Sequence, residues 1–457
     1  MATPYVCRKP GLALIAKHIR ESTAMPLNAI EQYLLELINR GRLDPGAEAA
    51  RYGVALNAGL AAGTIDASAK QVLAPSAQLE TAATGHSSWM LANDIFDHTQ
   101  SNGSTPGNRA TQQGYIWGMV GENIAMLGTS ASTINLADAI EGHHAGLYRS
   151  EHHRTNTMNE DYREIGLSQE QGDFTFQGQG TYTSSMLTEL FGRSGNTHFL
   201  TGVAYTDRDG DKFYSIGEGR GDLQLRADGV IGQSSSAGGY AMELDPARHV
   251  AVTGTIGDRS FGLTVDLSQG NVKLDVVGLN LLLTSGSVDL DYGIHDVRLL
   301  GVDNLDATGT ASANRLSGNK GDNLLTGLAG DDNLSGGSGA DRLNGGAGND
   351  LLLGGTGNDR LTASAGYDRM WGGAGADNFV FSGNFSREVI RDFSVRGGDD
   401  LLLNNSLWSG NLSATQVVAR FANVVRGDVL FDFGHGETIL LDGVGSLAGL
   451  AATIEIF

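Results

Sequence analysis

The chain has 457 residues, enough for roughly two to four domains, and 31 Lys and Arg against 52 Asp and Glu give a net charge of −21. That acidic balance argues against nucleic acid as a partner, and no run reaches the ~18 apolar residues of a membrane span. The single cysteine, Cys7, excludes an internal disulfide and a cysteine-built zinc site, while 66 Gly against 7 Pro fit turn-rich β architecture.

Residues 1–25 read as a poorly ordered leader. Gly11 to Ala16 is apolar but short and runs into Lys17, His18 and Arg20, so it makes no secretory signal peptide. From Pro26 an amphipathic helix is expected, with Leu27, Ile30, Leu34, Leu37 and Ile38 on one face. Gly41 is its stop and Asp44-Pro45 a turn. A second helix is expected from about Ser76 to Asn93, with Leu79, Ala82, His86, Trp89 and Met90 inward. His86 reads as packing.

A series of short motifs spans this region. It comprises Glu36-Leu37-Ile38-Asn39-Arg40, Phe96-Asp97-His98-Thr99, Gly114-Tyr115, Gly121-Glu122-Asn123-Ile124-Ala125, Ser150-Glu151-His152-His153-Arg154-Thr155-Asn156 and Tyr162-Arg163-Glu164-Ile165-Gly166. In this order they resemble the CAP superfamily, in its bacterial secreted branch. The resemblance implies an α-β-α sandwich over residues 26–182 with His98, Glu122 and His153 in a cleft. Two imidazoles and a carboxylate suit zinc with an open position, or proton transfer without metal. The family's second Glu has no secure counterpart here, Glu141 and Glu151 being only nearby. His143, His144 and His152 read as solvated surface.

Past Gly195 the composition turns to short strands such as Thr201–Tyr205, Gly239–Leu244 and His249–Val252. Among them Asp207-Arg208-Asp209-Gly210-Asp211-Lys212-Phe213-Tyr214-Ser215-Ile216-Gly217-Glu218 places carboxylates at positions 1, 3, 5 and 12 of a calcium loop. Its ligands would be Asp207, Asp209, Asp211, the Phe213 carbonyl and Glu218. Lys212 stands where an EF-hand requires Gly, and strands flank the loop. Residues 196–280 are similar to the small antiparallel β-sandwich modules of the Cna-B and SdrD type. Residues 281–317 read as a β entry segment leading to Gly318.

From Gly318 to Val380 the chain is seven nonapeptides, beginning at Gly318, Gly327, Gly336, Gly345, Gly354, Ala363 and Gly372. The sixth residues are Asn323, Asp332, Asp341, Asp350, Asp359, Asp368 and Asp377, and the eighth is always apolar, from Leu325 to Phe379. A Gly- and Asp-rich turn followed by a three-residue strand with its middle side chain inward accounts for this spacing. The repeat resembles the RTX (haemolysin-type) family, which implies a parallel β-roll with two nonads per coil. Asp332 then lies over Asp350, Asp341 over Asp359, Asp350 over Asp368 and Asp359 over Asp377. At ~4.8 Å each pair repels by roughly 3 kcal/mol at an effective dielectric of about 20. Calcium, a hard cation taking carboxylate and carbonyl oxygens, would relieve that repulsion.

Residues 381–457 are similar to the tail of RTX proteins, a cap carrying a type I secretion signal. The resemblance therefore reverses the cytosolic reading of the amino terminus and implies an extracellular protein. His-Glu-x-x-His, Gly-x-Ser-x-Gly and a phosphate loop are all absent. The whole reads as a multidomain α+β protein whose partners are calcium, the type I machinery and an extracellular ligand or surface. Binding through the CAP domain is favoured over a metal-dependent hydrolase and over a structural or adhesive role.

Overall fold

The computed structural model describes residues 20–21, 27–176, 178–246, 249–383 and 385–457. Most of the expected leader lies outside these residues. Its described part is a two-residue strand, β1 (Arg20–Glu21), paired with a strand of the distant β region. The first helix, α1 (Ala29–Leu43), starts at Asn28 rather than Pro26. The Asn28 side chain accepts from the Ile30 and Glu31 amides, and its own amide donates to the Glu31 carboxylate. Next come α2 (Pro45–Arg51), β2 (Ala74–Pro75), α3 (Ala77–Asn93), α4 (Pro106–Gln112) and β3 (Met119–Thr129). α5 (Leu136–Arg149), α6 (Glu151–Thr157), β4 (Glu164–Phe176) and β5 (Gly180–Arg193) complete the first part.

Its sheet has the order β2-β4-β5-β3. Alternation along β5 sends Leu187 and Phe191 to one face and Met186 and Leu190 to the other. On the first face they meet Leu34 and Ile38 of α1 and Ile140 and Leu147 of α5. On the second, Leu190 meets Leu79, Ala82 and Ala83 of α3. Gly166 of β4 has to be bare, because a Cβ there would overlap the α3 backbone at Leu79 and Glu80. The expected α-β-α sandwich is formed.

The β region begins with β6 (His198–Tyr205), β7 (Gln224–Ala227), β8 (Val230–Gln233), β9 (Gly239–Leu244), β10 (Val250–Ile256), β11 (Arg259–Val265) and β12 (Val272–Val277). Pairs β6–β9, β7–β8, β7–β10 and β10–β11 are antiparallel, in two layers as expected. The layers do not close off at residue 280. They are the first strands of two 13-stranded sheets that run on to the carboxyl end. Strands 281–284, 296–299 and 315–317 already stack in parallel, so the entry segment forms the first coils of the roll. A free sandwich edge would present unpaired amides and carbonyls, and the coils pair them instead.

In the nonad region partners are 18 residues apart, Leu325 with Leu343 and Leu334 with Leu352, so two nonads make one coil. The inward side chains from Leu316 to Phe379 are almost wholly buried in one core shared with Leu200 and Leu441. Beyond it, strands 387–390 and 400–403 extend the two sheets, and the terminal strand Ile454–Ile456 pairs in parallel with 400–403. Phe385, Trp408, Phe421 and Phe433 pack edge and face over the open end of the core. No helix among the described residues is long and apolar enough to cross a membrane.

The two parts are joined by a buried polar seam. Lys273 of β12 pairs with Glu36 of α1 at 2.7 Å and with Asp275. Asn271 Nδ2 donates to the carbonyls of Val72 (2.8 Å) and Arg163 (2.7 Å).

Candidate functional sites

The short motifs of the first part brace one another around a cleft. Gly121 leaves room for the Tyr162 hydroxyl. Tyr115 lies on Gly192 and donates to Glu164 Oε2 at 2.7 Å. Asn39 exchanges two hydrogen bonds with the backbone of Leu73. Asn123 Nδ2 donates to Glu189 Oε2 at 2.9 Å and to the His153 carbonyl at 3.3 Å, and Asn156 Nδ2 donates to the Glu122 carbonyl at 3.2 Å.

On this floor Glu122 is buried, and His98 Nδ1 lies 2.9 Å from its Oε1. Its Oε2 pairs with Arg109, whose Nη1 also donates to the carbonyls of His98 and Ser104, each at 3.0 Å. The Glu122 hydrogen bond raises the His98 pKa, against partial burial. His86 lies fully buried with Nε2 3.7 Å from Glu122, stacked on Trp89. His153 comes near enough for the His98 charge to oppose its protonation, but burial is the larger cause of its lowered pKa. Its Nδ1 meets Ser150 Oγ at 2.8 Å, not Glu122.

His98 and Glu122 are thus in contact, with the carboxylate fixing the imidazole tautomer. Glu122 meets His98 and Arg109 while His153 turns its Nδ1 to Ser150, so the donor atoms of His98, Glu122 and His153 do not converge on one point as the expected three-ligand zinc set requires. Among the described residues, the carboxylate and imidazole group with donor atoms all within 4.8 Å of one another is Asp207, Asp209 and Asp211. Glu141 accepts from Tyr33 at 2.8 Å and Glu151 lies against Gly59, so neither completes a tetrad. His143 and His144 are buried, not solvated. They share the inward helical face of Ile140 and Leu147, and they bond Ser185 (2.9 Å) and Glu48 (3.2 Å). Sequence reasoning missed Arg109 and Glu189. The latter is a buried carboxylate whose pKa is pushed up to about 7 by burial.

In the loop after β6, the side chains of Asp207, Asp209 and Asp211 converge while accepting the amides of Gly210, Asp211 and Phe213. Lys212 takes the left-handed conformation, φ 61°, that Gly would supply in an EF-hand. Glu218 is buried and accepts the amides of Arg208 (2.7 Å) and Ser215 (3.0 Å), so it braces the loop from below. The Phe213 ring lies under Arg40 and beside Tyr33 of α1.

In the roll the carboxylates form two ladders. Asp332, Asp350 and Asp368 stack in one, Asp341, Asp359 and Asp377 in the other. Each accepts the amide of the residue one coil earlier, as Asp350 Oδ1 does from Asp332 at 2.8 Å. Asn314 and Asn323 begin the ladders. Two unforeseen residues end them, Glu388 accepting the Asp368 amide (2.9 Å) and Asp399 the Asp377 amide (3.1 Å). Asp332, Asp341, Asp350, Asp359 and Asp377 are buried, yet each keeps an Oδ2 without a hydrogen-bond partner. Burial pushes their pKa values up, to about 6 for Asp332 and Asp359 and about 7 for Asp341 and Asp350. Bare buried carboxylate oxygens beside turn carbonyls suit a hard divalent cation.

Residues 35–182 match the model of the cysteine-rich secretory protein family, CAP. Residues 308–343, 317–352 and 353–383 match the RTX calcium-binding nonapeptide repeat. The matches to a CAP domain and to RTX calcium-binding repeats together support a calcium-binding protein of extracellular type. Among solved structures, it is similar to an extracellular protein containing a SCP domain from Bacillus anthracis str. Ames. That match has 26% identity over 27% of this chain and 35% of that one, with TM-score 0.20. An outer surface protein from Borrelia burgdorferi is similar at 20% identity, over 27% of this chain and 78% of that one, with TM-score 0.20. The extracellular lipase LipA from Serratia marcescens is similar at 17% identity, over 36% of this chain and 40% of that one, with TM-score 0.19. The matched region spans about a third of the length of the Bacillus anthracis protein. A search of curated proteins found no match.

Proposed function

We propose that this is a secreted protein whose roll folds on calcium outside the cell and holds out a CAP cleft as a binding module. The observation that carries it is the set of buried aspartate oxygens in the roll that have no hydrogen-bond partner, a cluster of bare anionic acceptors that suits a hard cation. Calcium at Asp207, Asp209 and Asp211 belongs to the same reading. Phe96, two residues before His98 in the chain, is exposed, which supports recognition of a ligand with an apolar part. The domain divisions 26–182, 318–380 and 381–457 are part of the proposal, with the sandwich and entry segment merged into one β body.

Export is assigned to the tail by resemblance. Fusing Asn404–Phe457 to a passenger in a host with a type I exporter should carry it out of the cell. Secretion that survives deletion of the tail would sink that assignment.

Zinc is not needed for the binding reading. Isothermal titration of the calcium-loaded chain with zinc should give the same heats as its His98→Ala/His153→Ala variant. A heat that disappears in the double variant would restore a metal centre to the cleft.

A further inference from the structure

Resting on the calcium reading above, we infer that the roll holds five calcium seats with a gap among them, the gap being the turn from Ala363 to Asp368. Eight nonad turns can be compared, those starting at Gly309 and Gly318 and the six that follow. They fall into two states, distinguished by the second residue of the nonad.

In five turns that residue is Leu328, Gly337, Gly346, Gly355 or Gly373, with φ between 81° and 117°. These turns hold Asp332, Asp341, Asp350, Asp359 and Asp377, whose Oδ2 atoms have no hydrogen-bond partner. In the other three the second residue is Thr310, Asn319 or Ser364, and none has a left-handed φ. Each of their amides donates to the sixth side chain of its own turn, Thr310 to Asn314 (2.7 Å), Asn319 to Asn323 (2.9 Å) and Ser364 to Asp368 (3.3 Å). An open turn leaves an oxygen bare; a closed turn satisfies it from within.

Glycine preference alone does not explain the open state. Leu328 adopts φ 81°, a conformation an L residue resists, and its turn is open all the same. The first residue of the nonad separates the states further at the gap. At Gly327, Gly336, Gly345, Gly354 and Gly372 a Cβ would overlap the bare oxygen. At the gap Ala363 carries a buried Cβ, and its strand, Arg360–Ala363, is cut to four residues where Arg342–Ala347 and Leu351–Thr356 have six. The two closed turns at the start use Asn, whose Nδ2 donates to the carbonyls of His295 (3.1 Å) and Leu305 (2.9 Å) of the preceding coil. Amide rungs seal the start of the column, and Ala363-Ser364 interrupts it.

Counting ions tests this. The full chain carrying Asp207→Asn, Asp209→Asn and Asp211→Asn, which silences the loop after β6, is analysed by native mass spectrometry with free calcium removed. The expected count is five. Ala363→Gly with Ser364→Gly should open the gap and raise it to six, and Gly345→Ala should lower it below five. Any parent count other than five overturns the inference, as does an unchanged count in a double-glycine variant that keeps its circular dichroism. If that variant does not fold, a full count in Gly345→Ala is the overturning result. No bound calcium at all would instead bring down the calcium reading itself.

Discussion

Stripped of calcium, the roll should be folded near pH 5 and unfolded near pH 8. Asp332, Asp341, Asp350 and Asp359 are held at about 6 to 7 by burial, well above the ordinary aspartate value of 3.8. A carboxyl whose folded pKa is raised binds its proton more tightly in the folded chain than in the unfolded one. Stability is therefore greatest below about pH 4 and falls as pH rises through the folded values, reaching its floor above about pH 7. At about 1.4 kcal/mol per unit, the four groups together cost the metal-free roll on the order of 10 kcal/mol at neutral pH. That matches or exceeds the whole stability of an ordinary domain. Calcium and protons thus serve the same oxygens. Hydrogen exchange of peptides covering 324–374 in the metal-depleted full chain would show it. Protection at pH 8, or none at pH 5 after correction for intrinsic exchange, would refute the claim.

Lys273→Met should destabilise the joint between the CAP domain and the β body by about 3–5 kcal/mol, the cost of breaking a buried ion pair from one side. Lys273 is buried between Glu36 and Asp275, and Gln32 and the Val203 amide are the other donors on those carboxylates. Removing the ammonium leaves two carboxylates facing each other in a buried seam, with the tyrosines Tyr205, Tyr214 and Tyr240 around them. The triple variant Glu36→Gln/Lys273→Met/Asp275→Asn keeps similar shapes without charge and should recover most of the loss. Thermal unfolding of the calcium-loaded variants is the measurement. A single variant within about 1 kcal/mol of the parent would mean that packing alone holds the seam.

The roll was legible because its chemistry is periodic. Leu and Asp in phase every nine residues mark the repeat, and its resemblance to the RTX family implies the 18-residue pairing and the order of the ladders that the structure has. What departs from the period was not legible. Glu388 and Asp399 follow Asp368 and Asp377 by 20 and 22 residues, so no repeat reading reaches them. Leu328 shows that the open turn cannot be read from glycine alone. The merging of sandwich and roll was hidden because residues 281–307 carry the inward apolar positions without the regular Gly-Asp turns that announce a coil. In the CAP domain the resemblance implied His98, Glu122 and His153 in one cleft; His153 turns its Nδ1 to Ser150, while His98 and Glu122 are in contact. Arg109 is fixed to them by tertiary contact, with nothing in Gly107-Asn108-Arg109-Ala110 to announce it. The burial of His143 and His144 could have been read, since both share a helical face with Ile140 and Leu147.

The stacked sheets also set a distance. The CAP domain rests against β9 and β12 and reaches along the β body to Lys320, which pairs with Asp44 at 2.6 Å, while the last strand lies at the far end of sheets thirteen strands deep. At ~4.8 Å per strand the β body is roughly 60 Å long, and its part beyond Lys320 is the spacer between the CAP domain and the tail. Its length comes in quanta. Removing 18 residues, such as 336–353, shortens the spacer by one coil and leaves every later side chain on its own sheet. Removing nine would move every later strand to the opposite sheet, and with it the tail's place relative to the CAP cleft.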